Sequence, residues 1–415
     1  VKKGLKKSGW ETKTFGEVLK IRNGRNQREV ESADGEFPIY GSAGNVMGMA
    51  TDYICEAGTT IIGRKGNINS PIYADTRFWN VDTAFGLAAK AGMDSRFLYF
   101  FCLSYDFSSH NRGTTIPSLV KSELLNIPIP VPPLAEQQRI VGLLDEAFKG
   151  LATAKANAEK NLQNARALFE SHLQSVFTQR GPGWKQKTLE EIATTFGRGK
   201  SKHRPRNEPK LYGGKYPFIQ TGDIRNADHF ITEYSQTYSE AGLAQSKLWP
   251  KGTICITIAA NIAETAILGF DACFPDSVIG VVTNPKEAEV GFIEYLLQSF
   301  KARIQALGKG SAQANINMGT FENERFPFPP LDRQKAIVEE IDALSAETQR
   351  LAAIYSRKLA ALEALKKSLL HQAFAGGFEM TLLTLLTFLT RMGALALRSM
   401  ESIRSQTINP GAPHV

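Results

Sequence analysis

The chain has 415 residues, 42% of them hydrophobic, and a net charge of +8, with a mean hydropathy of −0.21. That length asks for two or three domains with real cores, and the composition excludes a disordered or fibrous chain. A pI near 9.1 points to an acidic partner, of which nucleic acid is the commonest.

Taken in order, the first eight residues (Val1-Lys2-Lys3-Gly4-Leu5-Lys6-Lys7-Ser8) are basic, but no signal core follows them. From Trp10 to Val131, short β-type runs such as Thr60-Ile61-Ile62 and Phe78-Trp79-Asn80-Val81 alternate with Gly, Asn and Asp turn clusters. Asp94 to Phe107 predicts a capped, buried helix. Its aromatics, Phe97, Tyr99, Phe100, Phe101 and Phe107, read as core rather than base-stacking platforms. A mixed α+β domain is expected here.

Pro132-Pro133-Leu134 then opens a run with no further proline until Pro182, rich in Ala, Leu, Glu, Gln, Lys and Arg. Proline is tolerated at a helix start and forbidden inside, so the run predicts one long helix. Val141, Leu144, Phe148, Leu151, Ala158, Leu162, Ala165, Phe169 and Val176 recur at three- and four-residue steps, broken at Lys155 and His172. That spacing is a coiled-coil seam. At 1.5 Å per residue the rod is roughly 60 Å long. Gln179-Arg180-Gly181-Pro182-Gly183 breaks it.

After the break the text repeats. Gly9-Trp10, Thr14, Glu17 and Val18 return as Gly183-Trp184, Thr188, Glu191 and Ile192, and Phe37-Pro38-Ile39 as Tyr216-Pro217-Phe218-Ile219. Gly58-Thr59, Asn67, Asp82-Thr83 and Gly86 recur as Gly252-Thr253, Asn261, Asp276-Ser277 and Gly280. A second rod starts at Pro329-Pro330-Leu331, with Ile337, Ile341, Leu344, Leu351, Tyr355, Leu362, Leu365 and Leu369 on its seam. Leu331 stands 197 residues after Leu134, and Phe374 stands 197 after Phe177. The rods keep register while the globular parts change loop length. Two seams that cannot stay in water are expected to pack on each other.

The motifs exclude more than they assign. Gly199-Lys200-Ser201 lacks the first glycine of a phosphate loop, since Thr194 stands there. There is no nucleophile elbow, no zinc-protease signature and no dinucleotide fingerprint. Six scattered histidines and four cysteines (Cys55, Cys102, Cys255, Cys273) show no ligand spacing. The cysteines are expected to be reduced, buried thiols of a cytoplasmic protein, and no metal is expected. Met380–Leu389 is apolar but too short and Thr-rich for a membrane span.

Basic loops carry the positive signal. Arg22, Arg25, Asn26 and Arg28 follow the first strand-like segment, and Arg198, Lys200, Lys202, Arg204 and Arg206 stand at the equivalent place in the second copy. Arginine with Asn or Gln can supply both phosphate contacts and base-edge forks. A solvated basic loop is the competing account of either stretch alone; the pairing favours DNA contact. Arg64, Lys65 and Asn67 form a second basic loop, whose counterpart Ala259-Ala260-Asn261 reads as a plain turn. A third pair sets Arg112, Thr114 and Thr115 beside Lys309, Ser311, Gln313 and Asn315. Cation, glycine and small polar residues suit close backbone approach to a phosphate, although an ordinary turn has the same makeup.

The lines "NRGTTIPSLVKSELLNIPIPVPPLAEQQRIVGLLDEAF" and "GKGSAQANINMGTFENERFPFPPLDRQKAIVEEIDAL" resemble the domain–helix junctions of specificity subunits of type I restriction–modification enzymes. The double Pro-Pro-Leu-x-x-Gln pattern carries the resemblance, which spans roughly residues 10 to 377. It implies two pseudo-repeated target-recognition domains (1–131 and 181–328) separated by two long antiparallel coiled-coil spacers (132–180 and 329–377), an α+β class. It further implies that each domain reads half of a split, asymmetric double-stranded DNA target without any catalysis of its own. Two modification subunits would dock on the chain, bringing S-adenosylmethionine to methylate adenine; ATP-using motor-nuclease subunits would complete the complex. No cofactor is expected on this chain. Residues 378–415 have no counterpart in the first half and receive no role. The rival accounts are a coiled-coil scaffold that never reads DNA and a self-contained methyltransferase or nuclease.

Overall fold

The computed structural model describes residues 9–375, apart from 43, 203, 204, 260, 261, 309–315, 317 and 323. The 378–415 extension therefore lies outside the described residues. The chain divides into two compact units, Val1–Lys160 with Ser356–Val415, and Asn161–Tyr355. Each takes in one globular part and one half of each long helix.

In the first unit the strands are β1 (Glu11–Thr14), β2 (Leu19–Asn23), β3 (Phe37–Tyr40), β4 (Val46–Ala50), β5 (Thr59–Gly63), β6 (Ile72–Ala74), β7 (Trp79–Asn80), β8 (Ala84–Ala89) and β9 (Pro128–Val131). They form an antiparallel sheet in the order β2-β8-β5-β6, a second sheet β4-β3-β7, and a ribbon β1-β9. β5 (TTIIG) is buried along its whole length, as an apolar run in a sheet centre demands. Of the run Phe78-Trp79-Asn80-Val81, only Trp79 and Asn80 pair in a sheet, parallel to Ile39 and Tyr40. The expected helix after Asp94 is shorter than its hydrophobic run. Asp94 caps it by accepting from the Arg96 and Phe97 amides at 2.9 Å, and it ends at Ser104. Asp106 then caps a separate turn at Phe107–His110.

The second unit repeats the plan with β10 (Lys185–Lys187), β11 (Ala193–Arg198), β12 (Tyr212–Phe218), β13 (Phe230–Ile231), β14 (Gln236–Tyr238), β15 (Leu248–Trp249), β16 (Ile254–Thr257), β17 (Thr265–Leu268), β18 (Ala272–Cys273), β19 (Val278–Thr283) and β20 (Phe326–Phe328). Its sheets run β11-β19-β16-β17-β13 and β14-β12-β18-β15, with a ribbon β10-β20. β11, β19, β16 and β17 stand where β2, β8, β5 and β6 stand in the first unit. The parallel pairing of β3 with β7 is matched by β12 with β18. In both Thr-x-x-Glu echoes the glutamate caps the threonine amide, and in the second copy the cap is reciprocal, the Glu191 amide donating to Thr188 Oγ1 at 3.2 Å. The Thr14 amide donates to Glu17 Oε2 at 2.6 Å, and the Thr188 amide donates to Glu191 Oε2 at 2.7 Å.

The two proline-marked runs are helices, Leu134–Thr178 and Leu331–Phe374. In the first unit Ile140, Leu144, Ala147 and Leu151 share a buried cluster with Leu362, Leu369, Leu370 and Ala373 and with the globular core. In the second, Leu173 and Phe177 join Ile337 and Ile341. Both breaks in the first seam face an acid. Lys155 Nζ donates to Glu363 Oε1 at 2.9 Å, and His172 Nε2 lies 3.3 Å from Glu340 Oε1. Within each unit the helices thus lie side by side and run antiparallel.

The glutamine of the Pro-Pro-Leu-x-x-Gln pattern is a clasp. Gln137 is fully buried. Its Nε2 donates to Gly92 O (3.0 Å) and Pro132 O (2.9 Å), and its Oε1 accepts from the Asp94 amide (2.7 Å). Gln334 repeats this with Glu287 O, Pro329 O and the Glu289 amide. Each long helix is thereby fixed at its first turn to the loop leading into a buried helix. Gln137→Leu strands two carbonyls and one amide, so its unit is expected to lose about 2–4 kcal/mol. A lower urea midpoint in chemical denaturation of the full chain is the check.

All four cysteines are free and buried. Burial pushes the Cys55 thiol up to about 12 and raises Cys102, Cys255 and Cys273 as well. Among the described residues no helix is long and apolar enough to cross a membrane.

Candidate nucleic-acid interface

In an antiparallel sheet, alternate strands end at the same edge. β2 and β5 therefore deliver their C-termini where β8 begins, and that edge gathers the basic loops of the first unit. Arg22 lies on β2 opposite Gly86. The following turn is seated on the end of β7 and the start of β8: the Gly24 amide donates to Ala84 O (3.2 Å) and the Arg25 amide to Asn80 O (3.0 Å). Trp79 Nε1 donates to Arg25 O at 3.1 Å. A Cβ at Gly24 would stand 1.8 Å from Val81 O, so only glycine permits this approach. Arg25, Asn26 and Arg28 are exposed, and Asn26 Oδ1 accepts from the Arg28 amide at 3.0 Å.

The loop after β5 joins the same edge. The Arg64 and Lys65 amides donate to Thr83 O at 2.8 and 3.1 Å, and Arg64 Nη1 donates to Asp82 O at 3.3 Å. Lys65 and Asn67 are exposed. The 111–118 loop is stitched to it, with the Leu119 amide donating to Arg64 O (2.8 Å) and Gly66 N–H to Pro117 O (2.9 Å). Asn111 Oδ1 accepts from the Gly113 and Ser118 amides, fixing a turn whose exposed tip is Thr114, Thr115 and Ile116. Arg112 is not open: it forms a forked ion pair with Glu123. The structure thus brings Arg22, Arg25, Arg64, Lys65, Arg112 and both threonines to one rim.

The second unit builds its rim on the same rule, at the C-termini of β11 and β16 and the start of β19. The Gly199 amide donates to Val278 O at 2.9 Å, and a Cβ there would meet Phe274 O at 2.3 Å, so Gly199 plays the part of Gly24. Arg198 Nε donates to Asp276 O (2.7 Å), while Arg206 Nη2 donates to both Asp276 oxygens. Lys200 and Lys202 are exposed, and Lys200 O accepts from Ser246. The Ile316 amide donates to Ile258 O at 3.2 Å, as Leu119 does to Arg64. Arg204, Lys309, Ser311, Gln313 and Asn315 lie outside the described residues.

Composition alone does not announce Asp82 and Asp276, whose main-chain carbonyls accept from Arg64 and Arg198, nor the Asp276 carboxylate that engages Arg206. Their signal was present, because Asp82-Thr83 and Asp276-Ser277 stand in the same relation in the two copies. Chemically the rims can bind anions through guanidinium and ammonium groups. Among the described residues no group of His, Cys, Asp and Glu could hold a metal ion.

Comparison with known proteins fits this geometry. Residues 7–162 and 182–357 each match the family described as Type I restriction modification DNA specificity domain. The type I restriction enzyme MjaVIII specificity subunit of Methanocaldococcus jannaschii is 23% identical, with 88% of this chain and 92% of that protein covered. For the EcoDI specificity subunit of Escherichia coli the figures are 20%, 88% and 88%. Among solved structures, a chain from a type I R-M system complex superposes with a TM-score of 0.73 at 20% identity, covering 90% of this chain and 99% of that one. The HsdS subunit of Thermoanaerobacter tengcongensis gives 0.58 at 19% identity, covering 90% and 98%.

Proposed function

The chain belongs to the type I restriction–modification DNA specificity family, and from that premise we propose that each globular domain reads one half of a split, asymmetric DNA target. In this proposal residues 1–131 and 181–328 are the target-recognition domains, and 132–180 and 329–377 are spacers that set the distance between half-sites. Two modification subunits dock on the chain, carry the S-adenosylmethionine and methylate adenine; ATP-driven restriction subunits join them in the cytoplasm. The observation that carries this is the repeated rim: in both units an arginine-bearing loop leaves the sheet and is seated by a glycine (Gly24, Gly199) against the segment leading into β8 or β19 and the first residue of that strand. Exposed cations on a seated loop suit a phosphate backbone, and Arg and Asn forks suit base edges.

Methylome sequencing of cells expressing the chain with a modification subunit is expected to show one interrupted, non-palindromic motif methylated on adenine. A continuous motif, or methylation unchanged by deleting either domain's rim loop, would sink the proposal. Arg25→Ala, and Arg204→Ala in the other domain, are expected to lower guided methylation about 10- to 100-fold, the range of one lost base-edge fork. Subunit assembly, followed by size-exclusion chromatography, is expected to be unaffected.

A further inference from the structure

Two arginines of the rims are already engaged by carboxylates of their own unit. Arg112 donates through Nε to both oxygens of Glu123 (2.9 and 3.1 Å), and its Nη2 lies 2.8 Å from Oε1. Arg206 Nη2 donates to both oxygens of Asp276, at 2.8 and 2.9 Å. These pairs are wet: the arginine side chains are 67% and 51% exposed. Pairs of this kind contribute little to folding.

The loops have other ties as well. The Arg112 backbone is tied by its amide to Ser118 O at 2.9 Å, and the Asn111 side chain fixes the same turn. The Arg206 carbonyl accepts from Tyr212 at 2.6 Å. What the pairs do provide is a guanidinium set against two anionic oxygens, through Nε and Nη2 of Arg112 and through Nη2 alone of Arg206, the kind of contact with which arginine meets phosphate. Arg112 holds the Glu123 carboxyl below the usual glutamate range, so it stays charged at neutral pH. Arg25 and Lys65 meanwhile stand exposed on the first unit's rim.

We propose that Glu123 and Asp276 are stand-ins for DNA phosphate: they occupy the Arg112 and Arg206 forks in the free protein and yield them only to a phosphate placed by a docked target. This rests on the DNA-reading function proposed above. Exchanging one anion for another costs little when the phosphate arrives in place. A duplex lying loosely on the rim cannot make the exchange, and it meets a neutralised arginine beside a carboxylate. The two acids thereby widen the margin between target and random sequence.

The test is binding of the purified full chain to a random-sequence duplex and to a duplex bearing the mapped target, across a salt series. Glu123→Gln and Asp276→Asn are each expected to tighten random-duplex binding about five- to tenfold near ~0.1 M salt and to steepen the salt slope by about 0.9. Target binding is expected to move less, so discrimination falls. Adding Arg206→Ala to Asp276→Asn is expected to abolish the gain. Glu190→Gln, which removes an acid from the loop before β11, controls for net charge and is expected to stay within about twofold. Unchanged or weaker random-duplex binding by folded variants overturns the inference; Asp276→Ser carries the same expectation if Asp276→Asn misfolds. Wild-type chain with no salt-sensitive binding to any duplex, even with its modification subunit, overturns the DNA-reading function and this inference with it.

Discussion

Four residues inserted after Ala156, matched by four before Leu362, are expected to lengthen the gap in the methylated target by about one or two base pairs. One helical turn rises 5.4 Å, and a base pair of duplex about 3.4 Å. The insertion is matched because Lys155 bonds Glu363 across the helix pair, so one-sided lengthening would slide one seam past the other. Four residues are close to a whole turn, so the apolar positions beyond the insertion return to nearly the same face. The bases read in each half are expected to stay the same, since no rim residue moves relative to its own sheet. Methylome sequencing reads gap and bases together. A preserved gap, or altered half-site bases, would count against the helices as the ruler of the proposed function.

The other large effect is on stability. Leu144 is fully buried between the globular core of the first unit and the second long helix. Leu144→Asn removes apolar burial and places an amide where no partner awaits it, and is expected to cost about 3–5 kcal/mol. Leu362→Asn, from the opposite helix into the same cluster, is expected to cost a similar amount. Leu134→Asn is the control: the residue opens the first long helix and is 46% exposed, so its expected change is within about 0.5 kcal/mol. Urea denaturation followed by far-UV circular dichroism separates these outcomes. Equal midpoints for positions 134 and 144 would remove the buried seam from the account.

Much of this architecture was readable in the residues because its signals are local or periodic. The proline-marked helix starts, the seam through Leu144 and Leu151 and the duplication all follow from spacing along one chain. Helix and strand limits were less legible. The aromatic run after Asp94 is apolar on past Ser104, but Asp106 starts a new turn that hydrophobicity alone does not announce. The rim was readable as composition and not as geometry. That Arg112 is pinned by Glu123 eleven residues on, and Arg206 by Asp276 seventy residues on, depends on which strand ends the sheet brings together. The role of Gln137 was hidden for the same reason: its partners Gly92 and Asp94 lie more than forty residues upstream.

The deep placement of the four thiols gives the folded surface an unusual blankness toward alkylating reagents. Un-ionised sulfur beneath a packed core does not attack maleimide at neutral pH, so the native chain supplies no competing label. A lone cysteine introduced at Ile116, on the exposed rim of the first unit, would then be the sole reactive handle. A fluorophore carried there would report the arrival of duplex directly, with no background from the rest of the chain.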